Sequence, residues 1–257
     1  MSVLAHVDGA IGLITLDRPE KRNALNTAMI DGLARALLGH EANPAVRAVV
    51  LTATGDRAFC AGMDLNRVAD APTDASAATT RRPEAEVYRR LLVEGSSKPL
   101  VAAVNGTAVA GGFELMLACD LVVAADRALF GLPEVSRGLV AGAGGTFLPL
   151  RVPRALAFEI ALTGQLFDAT RARAMGLVNE VVPADDVLPH ALGLARTVAA
   201  NSPNAVRLTR RLLRESTELR PTEAWSQVDA AVAEAMTSDD AREGASAFLE
   251  RRAPCWS

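Results

Sequence analysis

Three short, almost uninterrupted apolar runs constrain this chain most. Residues 46–53, 100–104 and 121–125 are rich in valine, alanine and leucine, so each is expected to be a buried strand. Helical patterns over residues 84–92 and 112–118 separate them, and strands alternating with helices argue an α/β fold with largely parallel pairing. Ahead of them, residues 3–7 and 11–16 read as a β-hairpin turned at Asp8-Gly9. Residues 26–38 read as a helix with Met29, Ile30, Leu33 and Leu37 on one face. Past residue 184 the strand signal ends. Residues 184–200, 204–216, 222–236 and 240–252 read as helices, punctuated by Asn201-Ser202-Pro203 and Arg220-Pro221. The expected division is an α/β core over residues 1–195 and a helical region over residues 196–257. Residues 69–82, rich in Ala, Thr, Asp and Pro, read as a long mobile loop of the kind that often covers a substrate.

Composition narrows the function classes. Half of the 257 residues are hydrophobic and 22% are charged, enough apolar material for a sizeable core. With 27 basic and 30 acidic residues the net charge is −3, and Lys21 and Lys98 are the only lysines, a poor balance for a nucleic-acid binder. Cys60, Cys119 and Cys255 form no close pair and suit a reducing compartment. The first residues lack the basic and apolar regions of a secretory leader, and the longest uncharged stretch, residues 99–113, is too short to span a bilayer. The expectation is a soluble, cytoplasmic protein without membrane contact.

Several chemistries fail by inspection. Neither lysine follows a glycine, so no phosphate loop ends in Gly-Lys. Gly142-Ala143-Gly144 is followed by Phe147, where a dinucleotide fingerprint needs a small residue. Ser136 has Glu134 where a nucleophile elbow needs glycine. His6, His40 and His190 are scattered without metal-ligand spacing, so no metal is expected.

Four stretches remain. In Asn105-Gly106-Thr107-Ala108-Val109-Ala110-Gly111-Gly112-Phe113-Glu114 a buried strand ends in a turn and a helix begins. A helix start presents unpaired N–H groups, and Glu114 follows Gly111 within one turn. Ala58-Phe59-Cys60-Ala61-Gly62-Met63-Asp64 offers a similar small-residue turn after a strand. Pro133 suits a first helical position, with Glu134 in the first turn. Residues 138–146 carry Gly142, Gly144 and Gly145. Taken singly, each reads more readily as an ordinary tight turn, a dipole-favouring carboxylate or a flexible connection than as a site.

Together and in this order, the stretches resemble the enoyl-CoA hydratase/isomerase (crotonase) family. The resemblance begins at Leu16-Asp17-Arg18-Pro19-Glu20-Lys21-Arg22-Asn23-Ala24-Leu25-Asn26 and ends at Asp239-Asp240-Ala241-Arg242-Glu243-Gly244-Ala245-Ser246-Ala247-Phe248-Leu249-Glu250, so it covers nearly the whole chain. Ala110 departs from it, standing where many relatives carry a third glycine; Gly111 and Gly112 are kept.

The resemblance implies a spiral of ββα units, with a C-terminal helical region that mediates homotrimers, often stacked as hexamers. It implies an acyl-CoA substrate of the kind handled in fatty-acid β-oxidation, and no separate cofactor, coenzyme A being part of the substrate. By matching positions, the backbone N–H groups of Met63 and Gly111 would form an oxyanion hole for a thioester enolate. Glu114 and Glu134 fall on the positions of the two-glutamate hydratases, with Glu134 the proton donor to C2 and Glu114 holding and activating water. Coenzyme A would be held by the backbone around Ala24 and Ala61, by Asp64 and Leu65, and by Lys21 and Arg22 near its phosphates, with Arg251 or Arg252 as further candidates. The implied activity is enoyl-CoA hydration. The alternatives are an enoyl-CoA isomerase, a dehydratase of a specialised acyl-CoA, and a non-catalytic acyl-CoA-binding or RNA-binding relative.

Overall fold

A computed structural model describes residues 2–64, 82–215 and 220–256. The hairpin forms as the sequence predicts, with β1 (Val3–Asp8) antiparallel to β2 (Ile11–Leu16). Helix α1 (Thr27–Ala42) follows; Asn26 caps it by accepting the Met29 N–H at 2.8 Å. Its buried face holds Met29, Ile30, Leu33, Ala34, Leu37 and His40.

The three apolar runs become β3 (Ala48–Ala53), β5 (Leu100–Val104) and β7 (Leu121–Ala125). With β1, β2 and β10 (Glu180–Val182) they make a six-stranded sheet in the order β1-β2-β3-β5-β7-β10, parallel from β2 onward. All residues of β3 and β5 are buried, which explains why these strands read as unbroken apolar runs rather than alternating ones.

A second, four-stranded sheet escapes a reading by pattern. It is built of β4 (Ala58–Cys60), β6 (Thr107–Val109), β8 (Leu129–Gly131) and β9 (Phe167–Asp168), in that order. Strands of two or three residues are too short to show a period. Phe113, Phe130 and Phe167 pack beneath this sheet with ring centroids 5.8–6.2 Å apart, joining its strands to the helix that follows β6.

Among the described residues the remaining α-helices are α2 (Pro83–Glu94), α3 (Gly111–Leu117), α4 (Arg154–Thr163), α5 (Ala169–Ala174), α6 (Val187–Ala199), α7 (Pro203–Glu215), α8 (Pro221–Met236) and α9 (Asp239–Glu250). Helix α2 packs on α1 and α3, and α6 on β3, β5 and β7. Helices α4 and α5 were not anticipated; the others lie within a few residues of the predicted spans. Helix α7 is pinned to the core by Asp120, which receives Arg210 at 2.7 Å and Arg214 at 2.8 Å. Of the expected covering loop, only Arg82 is among the described residues, where it pairs with Asp31.

Candidate active site

The smaller sheet assembles the site. Strands β4, β6 and β8 are parallel neighbours, with Cys60 opposite Ala108 and Val109 opposite Gly131. Parallel strands deliver their C-terminal ends to one edge. Residues 61–64 leave β4 there, Ala110 and Gly111 leave β6, and Pro133 and Glu134 follow β8. Three of the four motifs singled out in the sequence thus meet through strands that the sequence does not reveal.

At this edge the two candidate amides adjoin. A Cβ on Gly62, at φ +84°, would lie 2.9 Å from the Gly111 nitrogen, and one on Gly111 would lie 3.6 Å from the Met63 nitrogen. Gly111 opens α3, where an N–H has no intrahelical acceptor. Gly112 is obligatory by contact: a Cβ there would stand 2.0 Å from the Cys60 carbonyl oxygen. Ala110 adopts φ 52°, ψ −130°, a conformation normally reserved for glycine, and costs on the order of 1–3 kcal/mol in strain. Its N–H is tied to the Gly131 carbonyl at 3.0 Å, so the turn is held from β8.

Glu114 lies in the first turn of α3 and is buried. Its Oε1 accepts the N–H groups of Ala143 at 3.1 Å and Gly145 at 2.9 Å, where a short 3₁₀ helix, Gly144–Leu150, begins. The fourth glycine-rich stretch is therefore the cradle of this carboxylate. Burial raises the Glu114 pKa, and the two amides work against that rise without cancelling it.

Glu134 is half-buried in the 3₁₀ turn Pro133–Arg137, and its Oε2 is buried with no hydrogen-bond partner among the described residues. Burial raises its pKa; its own backbone N–H and Arg137 oppose the rise, and the charge of Glu114 adds to it. Each carboxyl thus feels the site, and one feels the other.

Tyr88, the only tyrosine, was missed by sequence reasoning. On α2 its half-buried ring packs against the core. Burial lifts its pKa well above the usual value, with Cys60 and Glu114 adding to the effect, so the phenol belongs to the same neighbourhood. Its place on one helix face with Leu91 and Leu92, three and four residues on, was the available signal.

The residues expected around coenzyme A fall on two interlaced segments. Leu25 N–H donates to Gly62 O at 2.8 Å, Asp64 N–H to Leu25 O at 3.1 Å and Ala61 N–H to Arg22 O at 3.0 Å. Ala24 and Ala61 therefore sit on adjoining backbone, while the Lys21 and Arg22 side chains are exposed beside them. Asp64 forms an ion pair with Arg18 at 2.7 Å. Leu65 lies outside the described residues. Arg252 is engaged by Glu243 and Glu250; Arg251 beside it is exposed. Among the described residues no group of three or more His, Cys, Asp or Glu is placed to hold a metal, and the three cysteines are free thiols.

Residues 6–257 match the enoyl-CoA hydratase/isomerase family. The chain belongs to that family. It is 39% identical over 243 residues to the 2,3-dehydroadipyl-CoA hydratase of Escherichia coli (strain K12), covering 94% of this chain and 93% of that protein. It is also 39% identical over 247 residues to the mevalonyl-coenzyme A hydratase of Aspergillus fumigatus, covering 95% and 90%. Its fold is that of the crystal structure of enoyl-CoA hydratase from Mycobacterium tuberculosis H37Rv, with a TM-score of 0.90, 41% identity, and 100% and 98% of the two chains covered. The α/β architecture with C-terminal helices is thus the crotonase fold.

Proposed function

We propose that this family member is an enoyl-CoA hydratase, adding water across the 2,3 double bond of a 2-enoyl-CoA thioester to give the 3-hydroxyacyl-CoA. The observation that carries the proposal is the pair Glu114 and Glu134: two carboxyls from different elements, both raised by burial and electrostatically coupled, one with a buried, unpartnered oxygen.

Hydration needs both halves of this pair. Glu114, oriented by the Ala143 and Gly145 amides, holds a water and takes its proton as the oxygen bonds to C3. The π electrons of the double bond move toward the thioester carbonyl, whose oxygen gains charge as an enolate. The Met63 and Gly111 N–H groups receive that oxygen, and such donors favour the transition state over the ground state. Glu134, whose pKa burial raises, delivers a proton to C2 as the enolate collapses. Both oxyanion donors are main chain, so the exposed Met63 side chain has no part in this role.

The backbone around Ala24 and Ala61 would hold the adenine, with Lys21 and Arg22 near the phosphates. The acyl group is the open variable: the two relatives named above act on dehydroadipyl-CoA and mevalonyl-CoA, which differ in length and polarity. We further infer a homotrimer, or a hexamer of two trimers, in which residues 196–257 make the contacts between subunits. Trp225, Met236, Phe248 and Leu249 on α8 and α9 are more than 60% exposed, apolar surface that an assembly would cover. A cytoplasmic setting fits the free thiols, and no helix among the described residues is long and apolar enough to cross a membrane.

The test is a kinetic panel of 2-enoyl-CoA thioesters of different chain length, followed by loss of the enoyl absorbance. Turnover with at least one member supports the reading; no turnover with any overturns it. Product analysis with a 3-enoyl-CoA separates hydration from double-bond isomerisation.

A further inference from the structure

Arg18, the ion-pair partner of Asp64, meets both interlaced segments. Its Nη1 donates to Asp64 Oδ2 at 2.7 Å and to the Ala24 carbonyl at 3.2 Å. Both side chains of the ion pair are largely buried, at 19% and 12% exposure, so this is not a screened surface pair. Glu20, 3.9 Å from Arg18 Nε and mostly exposed, adds little.

The backbone around Arg18 is fixed as firmly as its side chain. Asn23, fully buried and at φ 53°, accepts the Arg18 N–H at 2.8 Å with Oδ1. Its Nδ2 donates to the carbonyls of Thr54 at 3.0 Å and Ala58 at 2.9 Å. Residues 18–25 are thus bolted to the end of β3 and the start of β4. The Arg18–Asp64 pair closes the far end of the same clamp, one residue beyond Met63. Between these ties lie the Leu25 bonds to Gly62 and Asp64, which flank Met63 on both sides.

We infer that Arg18 is a positioning residue for enolate stabilisation: through Asp64 and Ala24 it fixes the Met63 amide and the backbone that seats the coenzyme A adenine as one rigid unit. A guanidinium suits this task because it is planar and presents several donors at once, where an ammonium is a flexible point charge. The inference rests on the hydratase reading of the site. Oxyanion donors contribute through preorganisation, so small displacements of Met63 cost rate rather than fold.

The experiment compares wild type with Arg18→Gln, Asp64→Asn, the double variant and Arg18→Lys. Three readouts are taken: kcat and KM on a turned-over enoyl-CoA, thermal unfolding, and the enolate absorption band of bound acetoacetyl-CoA. Arg18→Gln and Asp64→Asn are each expected to lower kcat by about 10–100-fold. The double variant should lose no more than the worse single one, because the pair acts as a unit. Bound at saturation to folded protein, acetoacetyl-CoA should show a weaker enolate band in both single variants. Arg18→Lys should recover part of the band through Asp64 alone. A full-strength band in folded Arg18→Gln, unchanged kcat, or additive losses in the double variant would overturn the inference. Asp64→Asn, nearly isosteric, keeps the test decisive if Arg18→Gln does not fold. If wild type hydrates no enoyl-CoA yet its acetoacetyl-CoA band depends on Arg18, the hydratase reading fails and the positioning role stands. The reverse outcome separates them the other way.

Discussion

The N–H of Gly145 donates to Oε1 of Glu114 at 2.9 Å, across 31 positions of sequence. This bond aims a buried carboxyl group together with a second amide, that of Ala143, which donates to the same oxygen. A Cβ on Gly145 would lie 3.1 Å from that oxygen, 3.1 Å from Leu132 Cδ1 and 2.8 Å from Ala141 Cβ.

Gly145→Ala is therefore expected to push Glu114 out of line. Steady-state kinetics on an accepted enoyl-CoA should show kcat down about 10–100-fold with KM near wild type, since the proposed coenzyme A segments around Ala24 and Ala61 are untouched. An unchanged kcat would remove this amide from the mechanism.

Glu114→Gln should lower kcat by about 10²–10⁴-fold, the usual worth of a positioned acid or base. It should also move its partner. The charge of Glu114 is one cause of the raised Glu134 pKa, so with a neutral amide at 114 the Glu134 pKa falls toward the ordinary 4.5. In the proposed hydration Glu134 donates a proton and must carry it, so the alkaline limb of the residual pH–rate profile is expected to shift to lower pH. A profile that keeps its alkaline limb in place would show that the two carboxyls do not communicate.

Glu134→Gln trades activity for stability. The folded-state pKa of Glu134 lies above 4.5, so between 4.5 and the raised value the folded protein holds more protons than the unfolded chain. Stability from this group is full below that window and is lost as pH rises through the folded pKa. At pH 8 the variant should melt above wild type, with the gain shrinking as pH is lowered toward 5. Melting curves at the two pH values check the slope; a gain that grows on acidification contradicts it.

Ala110→Gly should relieve the turn before α3. The φ 52°, ψ −130° conformation favours glycine, and the added flexibility of the unfolded chain returns part of the gain. A net stabilisation of about 1 kcal/mol, or about 2–4 °C in melting temperature, is expected, with activity retained. A lower melting temperature would mean that the Ala110 methyl packs well enough to offset its strain.

Much of this protein is legible without its structure. The apolar runs at β3, β5 and β7, the capped amphipathic helix α1 and the helical C-terminal third follow from periodicity. The order of short motifs around Glu114 and Glu134 carries the family. The smaller sheet, the cradle of Glu114 and the place of Tyr88 are not legible, because none has a local pattern.

Sequence by itself determined which residues are apolar, where most of the helices begin, and that two glutamates follow two tight turns. Tertiary structure decided that β4, β6 and β8 end side by side, that residues 143–145 reach back to Glu114, and that Arg18 closes on Asp64. The division has a physical cause. Helix and strand preference is set by neighbours within a few positions, whereas these contacts join residues 31 and 46 apart and exist only after the core has paid the entropy of bringing them together.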